Sequence, residues 1–407
     1  MIDTLLIIGN GFDLYCQLPT KIADYYEYKK NTQPVFNEFI RIYNLYQYEI
    51  DINQFDSEFI KFINKYISSI LSDITVWDFY FLGVNKLESD TNWYNIEKQI
   101  SDSLGLNDER HSFWNSVFDC FEDISLDDVS LNLNSDIFKK GTNLENITKL
   151  ENIIHMIIKY IHCNPMKYMD RCTFDNTKKP MLREILSDKH EFLIRQLKIL
   201  EQNFRTYILE KLNDNPLYSL AQENASKKLL KLTKSKKANL MSFNYTPIYC
   251  RSLFNSIENV HGEVLQGREI IFGIDNTKCN PGESCYKFTK TYRKVAMYIS
   301  TPTIDINQVL TKKIEHIVFF GHSLNEQDYS YFQTIFDYFG LYDNQGISLD
   351  FRYNIYDKDR QSVIETTTIN NVIALLDGYG KTLDNKYKGR NLIHKLLNES
   401  RLSIKSI

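Results

Sequence analysis

No stretch of the chain approaches the ~18 consecutive apolar residues that a membrane-spanning helix needs, so no segment reads as transmembrane. No signal peptide is expected either. The start, MIDTLLIIGNGFD, has an acid at Asp3, a short apolar run and no basic flank. The seven cysteines (Cys16, Cys120, Cys163, Cys172, Cys250, Cys279, Cys285) contain no C-x-x-C pair and are odd in number. Secreted disulfide scaffolds favour even counts at close spacing, so reduced thiols in a cytoplasmic protein are expected. Cys279 and Cys285 have no second pair to complete a tetrahedral zinc site, and no metal is expected. A strong charge of either sign is absent too. The net charge of −4 supplies no broad basic field, and no paired-carboxylate metal motif stands out, which argues against nucleic acid as a partner. A membrane partner is not expected either.

What is present is ordinary for a globular chain: 407 residues, 43% hydrophobic and 25% charged, long enough for two or three units of roughly 150 residues. Thr4 to Ile8 is a continuous apolar run, as in a strand buried on both faces of a parallel sheet. After Pro19, Thr20-Lys21-Ile22-Ala23-Asp24 has the look of a capped helix start. Between about 34 and 235 apolar residues recur at helical spacing: Phe36, Phe39, Ile40 and Tyr43; Phe59, Phe62, Ile63 and Tyr66; Ile153, Ile154, Ile157 and Ile161; Phe192, Leu193, Leu197, Leu200 and Phe204. Polar joints such as Leu131-Asn132-Leu133-Asn134-Ser135 divide them, and the aromatic residues among them are read as core. The lysines Lys227, Lys228, Lys231, Lys234, Lys236 and Lys237 read as a solvated helix face.

Strand character returns at Ala238–Asn244, Ile257–Val264, Glu269–Ile274, His316–Gly321 and Leu349–Tyr356, with helices over about Gln327–Tyr338 and Arg360–Leu375. The expected architecture is α/β: a Rossmann-like, mostly parallel sheet formed by 1–33 and 236–407, with a helical domain, 34–235, inserted between its first and second strands.

Four short clusters carry the candidate chemistry. Gly9-Asn10-Gly11-Phe12-Asp13 follows the first strand, and a G-x-G there fits either a pyrophosphate cradle or a structural turn. Leu14 stands where the third glycine of G-x-G-x-x-G belongs, and no acid lies ~20 residues on, so dehydrogenase-type binding is not indicated. Ser242-Phe243-Asn244-Tyr245-Thr246 closes a strand, where Asn244 presents both a donor and an acceptor or caps the turn before Pro247. Val260-His261-Gly262-Glu263 holds a histidine suited to act as a base or to sit satisfied in the core. Gly321-His322-Ser323 through Asp328 repeats the pattern strand, glycine, small polar residue, helix, with Asn325 to Asp328 also readable as an N-cap.

In order, GNGFDLYCQLPT, SFNYT, VHG, IIFGID and FFGHSLNEQD resemble the AbiH family of bacterial phage abortive-infection proteins. More distantly, the set is similar to sirtuin-like NAD-hydrolysing defence domains. That resemblance implies a sirtuin-like fold and NAD as substrate or ligand, with no further cofactor required. It makes Asn244 and His261 a catalytic pair at the nicotinamide ribose. Gly9, Asn10, Gly11, Phe12, Asp13, Ser242, Tyr245, Gly262, Gly321, His322, Ser323 and Asp328 become the nucleotide-binding set. The sequence departs from the pattern at Thr246, where an acid is usual, and at His322, which replaces an aromatic residue. The implied function is an antiphage effector that hydrolyses NAD or a related nucleotide, gated by a phage or host trigger or by self-assembly. Two alternatives stay open: a non-catalytic nucleotide-binding sensor and a nuclease-type toxin.

Overall fold

The run Thr4-Leu5-Leu6-Ile7-Ile8 forms a strand, β1, with every residue buried, because both its faces are covered and both its edges are paired. The computed structural model describes residues 3–47, 52–84, 93–106, 112–119, 149–163, 188–233, 237–265, 269–300 and 309–407. The polar joint at 131–135, Cys120, Cys172, Lys234 and Lys236 lie outside them. Five further strands join β1: β2 (Ala238–Ser242), β3 (Phe254–Asn259), β4 (His316–Phe320), β5 (Ser348–Tyr353) and β6 (Leu402–Ser406). All pair in parallel, in the order β3-β2-β1-β4-β5-β6. The fold is α/β with an all-parallel sheet, and the described elements between β1 and β2 are helices.

The chain divides into two compact units. One comprises Met1–Lys21, Arg205–Thr277 and Thr289–Ile407 and holds the sheet; the other comprises Ile22–Phe204 and Lys278–Phe288. In the sheet unit, Leu5, Ile7, Ile317, Phe319, Leu349 and Phe351 pack with Phe332, Phe336, Leu375 and Leu376 of the helices Tyr329–Phe339 and Gln361–Thr382. The second unit is helical. The expected periodic segments fall in Pro34–Gln47, Ile52–Tyr66, Lys149–Cys163 and Lys189–Asp214. Its core is aromatic, with Trp77 set edge-on to Trp114 at 5.0 Å and Phe39 4.5 Å from Phe79. Among the described residues no helix is long and apolar enough to cross a membrane.

Three expectations need correction. Glu269–Ile274 is not a strand. Its buried residues run extended across the strand-end turns, and Ile271 N donates to His261 O (3.0 Å) while Tyr245 Oη donates to Ile271 O (3.2 Å). Backbone groups satisfied by turns leave no ladder to form, and only Ile274 makes an isolated bridge, to Thr289. The second predicted strand begins and ends earlier, at Phe254–Asn259, so Val260-His261-Gly262 lies in the turn that follows it. Cys279 and Cys285 are joined as a disulfide, with Cα atoms 6.4 Å apart, whereas Cys16 and Cys250 are free and buried. The helix Lys386–Asn398 and the edge strand β6 are additions that the sequence reading did not contain.

Candidate active site

The sheet register brings the four clusters together. Ile8 is level with Ser242 and with Phe320, and Ser242 with Asn259, so the last residues of β3, β2, β1 and β4 form one row. Each cluster starts in that row (Ser242) or just beyond it (Gly9, Val260, Gly321), at the carboxyl edge, where the strand order reverses between β1 and β4. Open α/β sheets bind ligands at such a switch point. Every residue of the site described below belongs to the sheet unit.

The glycines let two loops touch. Gly9 N donates to Phe320 O (3.1 Å) and Gly11 N to Gly321 O (2.7 Å). A Cβ on Gly321 would sit 2.3 Å from Phe12 N, and Gly321 has φ +70°, a region costly for any other residue. The first and fourth clusters therefore form one wall, with the Gly9 and Gly11 amides already committed. Asn10 Oδ1 accepts from Thr20 Oγ1 (2.6 Å), and the Phe12 ring meets Phe320 edge-on at 6.1 Å.

Asp13 is 1% exposed. Its Oδ1 accepts from Tyr218 Oη (2.7 Å) and Thr246 Oγ1 (3.0 Å), and its Oδ2 lies 2.9 Å from the same Thr246 hydroxyl. Burial pushes the carboxyl up to about 7; Tyr218, Thr246 and Asn244 oppose that rise without cancelling it. Asn244 is 3% exposed, and neither its Oδ1 nor its Nδ2 makes a hydrogen bond within the described residues, although the amide is close enough to Asp13 to favour its charged form. Ser242 Oγ accepts from Asn244 N (3.2 Å) and fixes that turn.

The second buried carboxylate, Asp328, has cationic and imidazole neighbours. Lys290 Nζ is 2.7 Å from Oδ1, His261 Nε2 is 3.3 Å from Oδ1, and His322 Nε2 is 3.4 Å from Oδ2. Burial alone would raise its pKa, but the Lys290 ammonium, helped by both imidazoles, holds the carboxyl well below the usual range. His322 Nδ1 accepts from Leu324 N (2.9 Å), which directs its Nε2–H at Asp328. His261 is pushed down to about 4 by burial and then by Lys290, with Asp328 pulling the other way. It is a neutral imidazole at neutral pH. Its Nε2 is at ion-pair distance from Asp328 but lacks hydrogen-bond geometry. Phe243 separates the two imidazoles, 5.3 Å from His261 and 4.7 Å from His322. Both polar ends of the buried Gln327 side chain also lack a hydrogen bond within the described residues.

Of the residues expected from sequence, Asp13, Asn244, His261, His322 and Asp328 carry the polar chemistry of this site. Gly9, Gly11 and Gly321 shape its wall. Gly262 lies beneath the crossing segment, where a Cβ would meet Glu269 O at 2.1 Å. Tyr245 ties down that segment. Ser323 is tied within its own turn, its Oγ accepting from Asn325 Nδ2 (2.5 Å) and its carbonyl from Asn371 Nδ2 (3.0 Å). Sequence reasoning missed Lys290, Tyr218 and Gln327. The first two sit on helices outside every motif, and the third hid inside an apparent N-cap.

A family model described as "Bacteriophage abortive infection AbiH" matches residues 5–343, a span that contains all four clusters and the helical middle. The chain belongs to the AbiH family. A phage abortive-infection function follows from that membership. No curated protein and no solved structure matches the chain.

Proposed function

We propose that the chain acts in abortive infection by hydrolysing NAD, or a related nucleotide, at the nicotinamide–ribose bond. The observation that carries this reading is the presence at one sheet edge of two buried carboxylates of opposite character, Asp13 with a pKa of about 7 and Asp328 held ionised, with the Asn244 amide next to Asp13 and without a well-formed hydrogen bond among the described residues. The strand order 3-2-1-4-5-6 of dinucleotide-binding sheets supports it.

Breaking that bond builds positive charge on the sugar, while nicotinamide leaves neutral and needs no proton. A fixed carboxylate stabilises the developing cation. A group titrating near neutrality accepts the proton of the attacking water, and an amide orients that water. Asp328, Asp13 and Asn244 suit these roles in turn. His261, with its lowered pKa, is a weak proton acceptor and is better suited to hold a ribose hydroxyl through Nε2. The committed amides of Gly9 and Gly11 favour a wall over a pyrophosphate cradle.

The test is NAD loss by purified protein and in phage-infected cells. Asp13→Asn and Asn244→Ala are expected to abolish it and His261→Ala to weaken it. Loss that persists in Asp13→Asn and Asn244→Ala would remove the assignment. Nucleotide binding with no turnover under any trigger would instead establish the sensor reading. That alternative draws on the hydrogen bonds that Asp13 already accepts from two of the protein's own hydroxyls, Tyr218 and Thr246.

A further inference from the structure

Cys279, Glu283 and Cys285 lie in the helical unit, on the segment Lys278–Phe288, and play no part in the site above. Their sulfur and carboxylate donor atoms all fall within 4.8 Å of one another. The disulfide holds the two sulfurs together here, and two further features bring the carboxylate to them. Gly282, with φ +98°, turns the chain so that the loop doubles back. Asn280 then holds the acid: its N donates to Glu283 Oε2 (3.1 Å) and its Nδ2 to Glu283 Oε1 (2.8 Å), leaving Oε2 3.5 Å from Cys285 Sγ. The segment is anchored by Lys287, which pairs with Asp188 (3.0 Å) and Glu191 (3.3 Å). A count of cysteines alone finds no zinc site here, because the third donor is an acid that only the turn brings close.

We propose that in the reduced protein Cys279, Cys285 and Glu283 bind a thiophilic divalent cation, Zn2+ being the type, and that the disulfide is the oxidised form of the same site. Two thiolates and a carboxylate suit a borderline-soft ion that accepts four ligands, with water in the fourth position; Mg2+ and Ca2+, which take oxygen donors, do not fit. Asn280 acts from outside, by orienting the carboxylate. Oxidation by hydrogen peroxide balances: the two metal-bound thiolates give up two electrons and form the sulfur–sulfur bond, the peroxide takes those electrons and two protons from solvent to become two waters, and the cation leaves.

The experiment uses the full chain, reduced, with Zn2+ or Co2+ alone as probe. Expected are uptake measured against a chromophoric chelator, a thiolate-to-Co2+ absorption band, and protection of Cys279 and Cys285 from alkylation, mapped by peptide mass. Cys279→Ser and Cys285→Ser should each abolish the band. Asn280→Ala should weaken Zn2+ binding by about 10- to 100-fold. Peroxide should release the cation and dithiothreitol restore its uptake. Absence of Zn2+ uptake by the reduced wild-type chain would overturn the proposal, as would protection that falls on other cysteines. Alkylation mapping needs no variant, so a serine variant that misfolds does not obscure the answer.

Discussion

Asp13 and Asp328 share nearly everything that is usually said to set a carboxylate's behaviour. Both are buried, and both follow a strand at the same edge of one sheet. They differ in what faces them. Asp13 meets a phenol, a threonine hydroxyl and an amide, all neutral, and its pKa rises to about 7. Asp328 meets an ammonium and two imidazoles and stays ionised far into acid. The same desolvation acts on both; at Asp328 the Lys290 charge, with hydrogen bonds from the two imidazoles, reverses it, whereas the neutral donors at Asp13 do not. Two carboxyl groups pushed apart in this way are how one fold supplies both an ionised electrostatic partner and a titrating group at neutral pH.

The contrast can be broken most severely by taking away its cation. Lys290→Met leaves Asp328 buried beside imidazoles alone and should destabilise the fold by about 3–5 kcal/mol in urea unfolding. Adding Asp328→Asn should recover part of that loss. If the single variant is no less stable than the parent, Lys290 does not hold Asp328.

Next in size is pH. Asp13 titrates at 3.8 when unfolded and about 7 when folded, so its contribution to stability is complete below 3.8 and is lost as pH rises through about 7, on the order of 4 kcal/mol in all. His261 runs the other way. Its pKa falls from 6.5 to about 4, so its contribution is complete above 6.5 and is lost as pH falls toward 4, on the order of 3 kcal/mol. Between pH 4 and 6.5 these two offset each other. Asp13→Asn should therefore unmask a stability that climbs with pH across that window, and His261→Gln one that falls. Parallel profiles for the parent and both variants would refute the two environments.

Gly321→Ala tests the wall that the first and fourth clusters share. With φ +70° and Phe12 N in the way, it should cost about 1–3 kcal/mol in thermal unfolding, whereas Gly282→Ala, strained but in open space, should cost less. The mildest change is Tyr218→Phe. It deletes one donor to Asp13, should cost about 1–2 kcal/mol, and should move the Asp13 titration, followed by carboxyl NMR, above its parental value. A downward move would mean that the phenol does not hydrogen-bond the ionised form.

Much of the sheet was readable because buried parallel strands are short apolar runs, and Thr4–Ile8 and His316–Phe320 are each ended at once by a glycine. β6, Leu402–Ser406, escaped because an edge strand is half polar and short. Glu269–Ile274 misled for the converse reason: five buried residues in a row satisfy the strand pattern even when their partners are turns. The motif residues were legible at the sheet edge because each follows a strand. Lys290 and Tyr218 were not, since a buried lysine and a core tyrosine on a helix leave no local signature. Thr246 was read as the loss of an acid. Its hydroxyl instead donates to Asp13, an acid 233 residues away in sequence, and that pairing is visible only in three dimensions.

The row of strand ends also says something about how the chain is made. β1 lies between strands that begin at Ala238 and His316, so the middle of the sheet is synthesised first and flanked last. At ribosomal speeds of about 5–20 residues per second, Leu5 to Ile8 wait for tens of seconds before either neighbour has emerged. During that interval the most apolar of the described strands has both edges open, the condition in which an unpaired apolar strand is exposed to edge-to-edge aggregation.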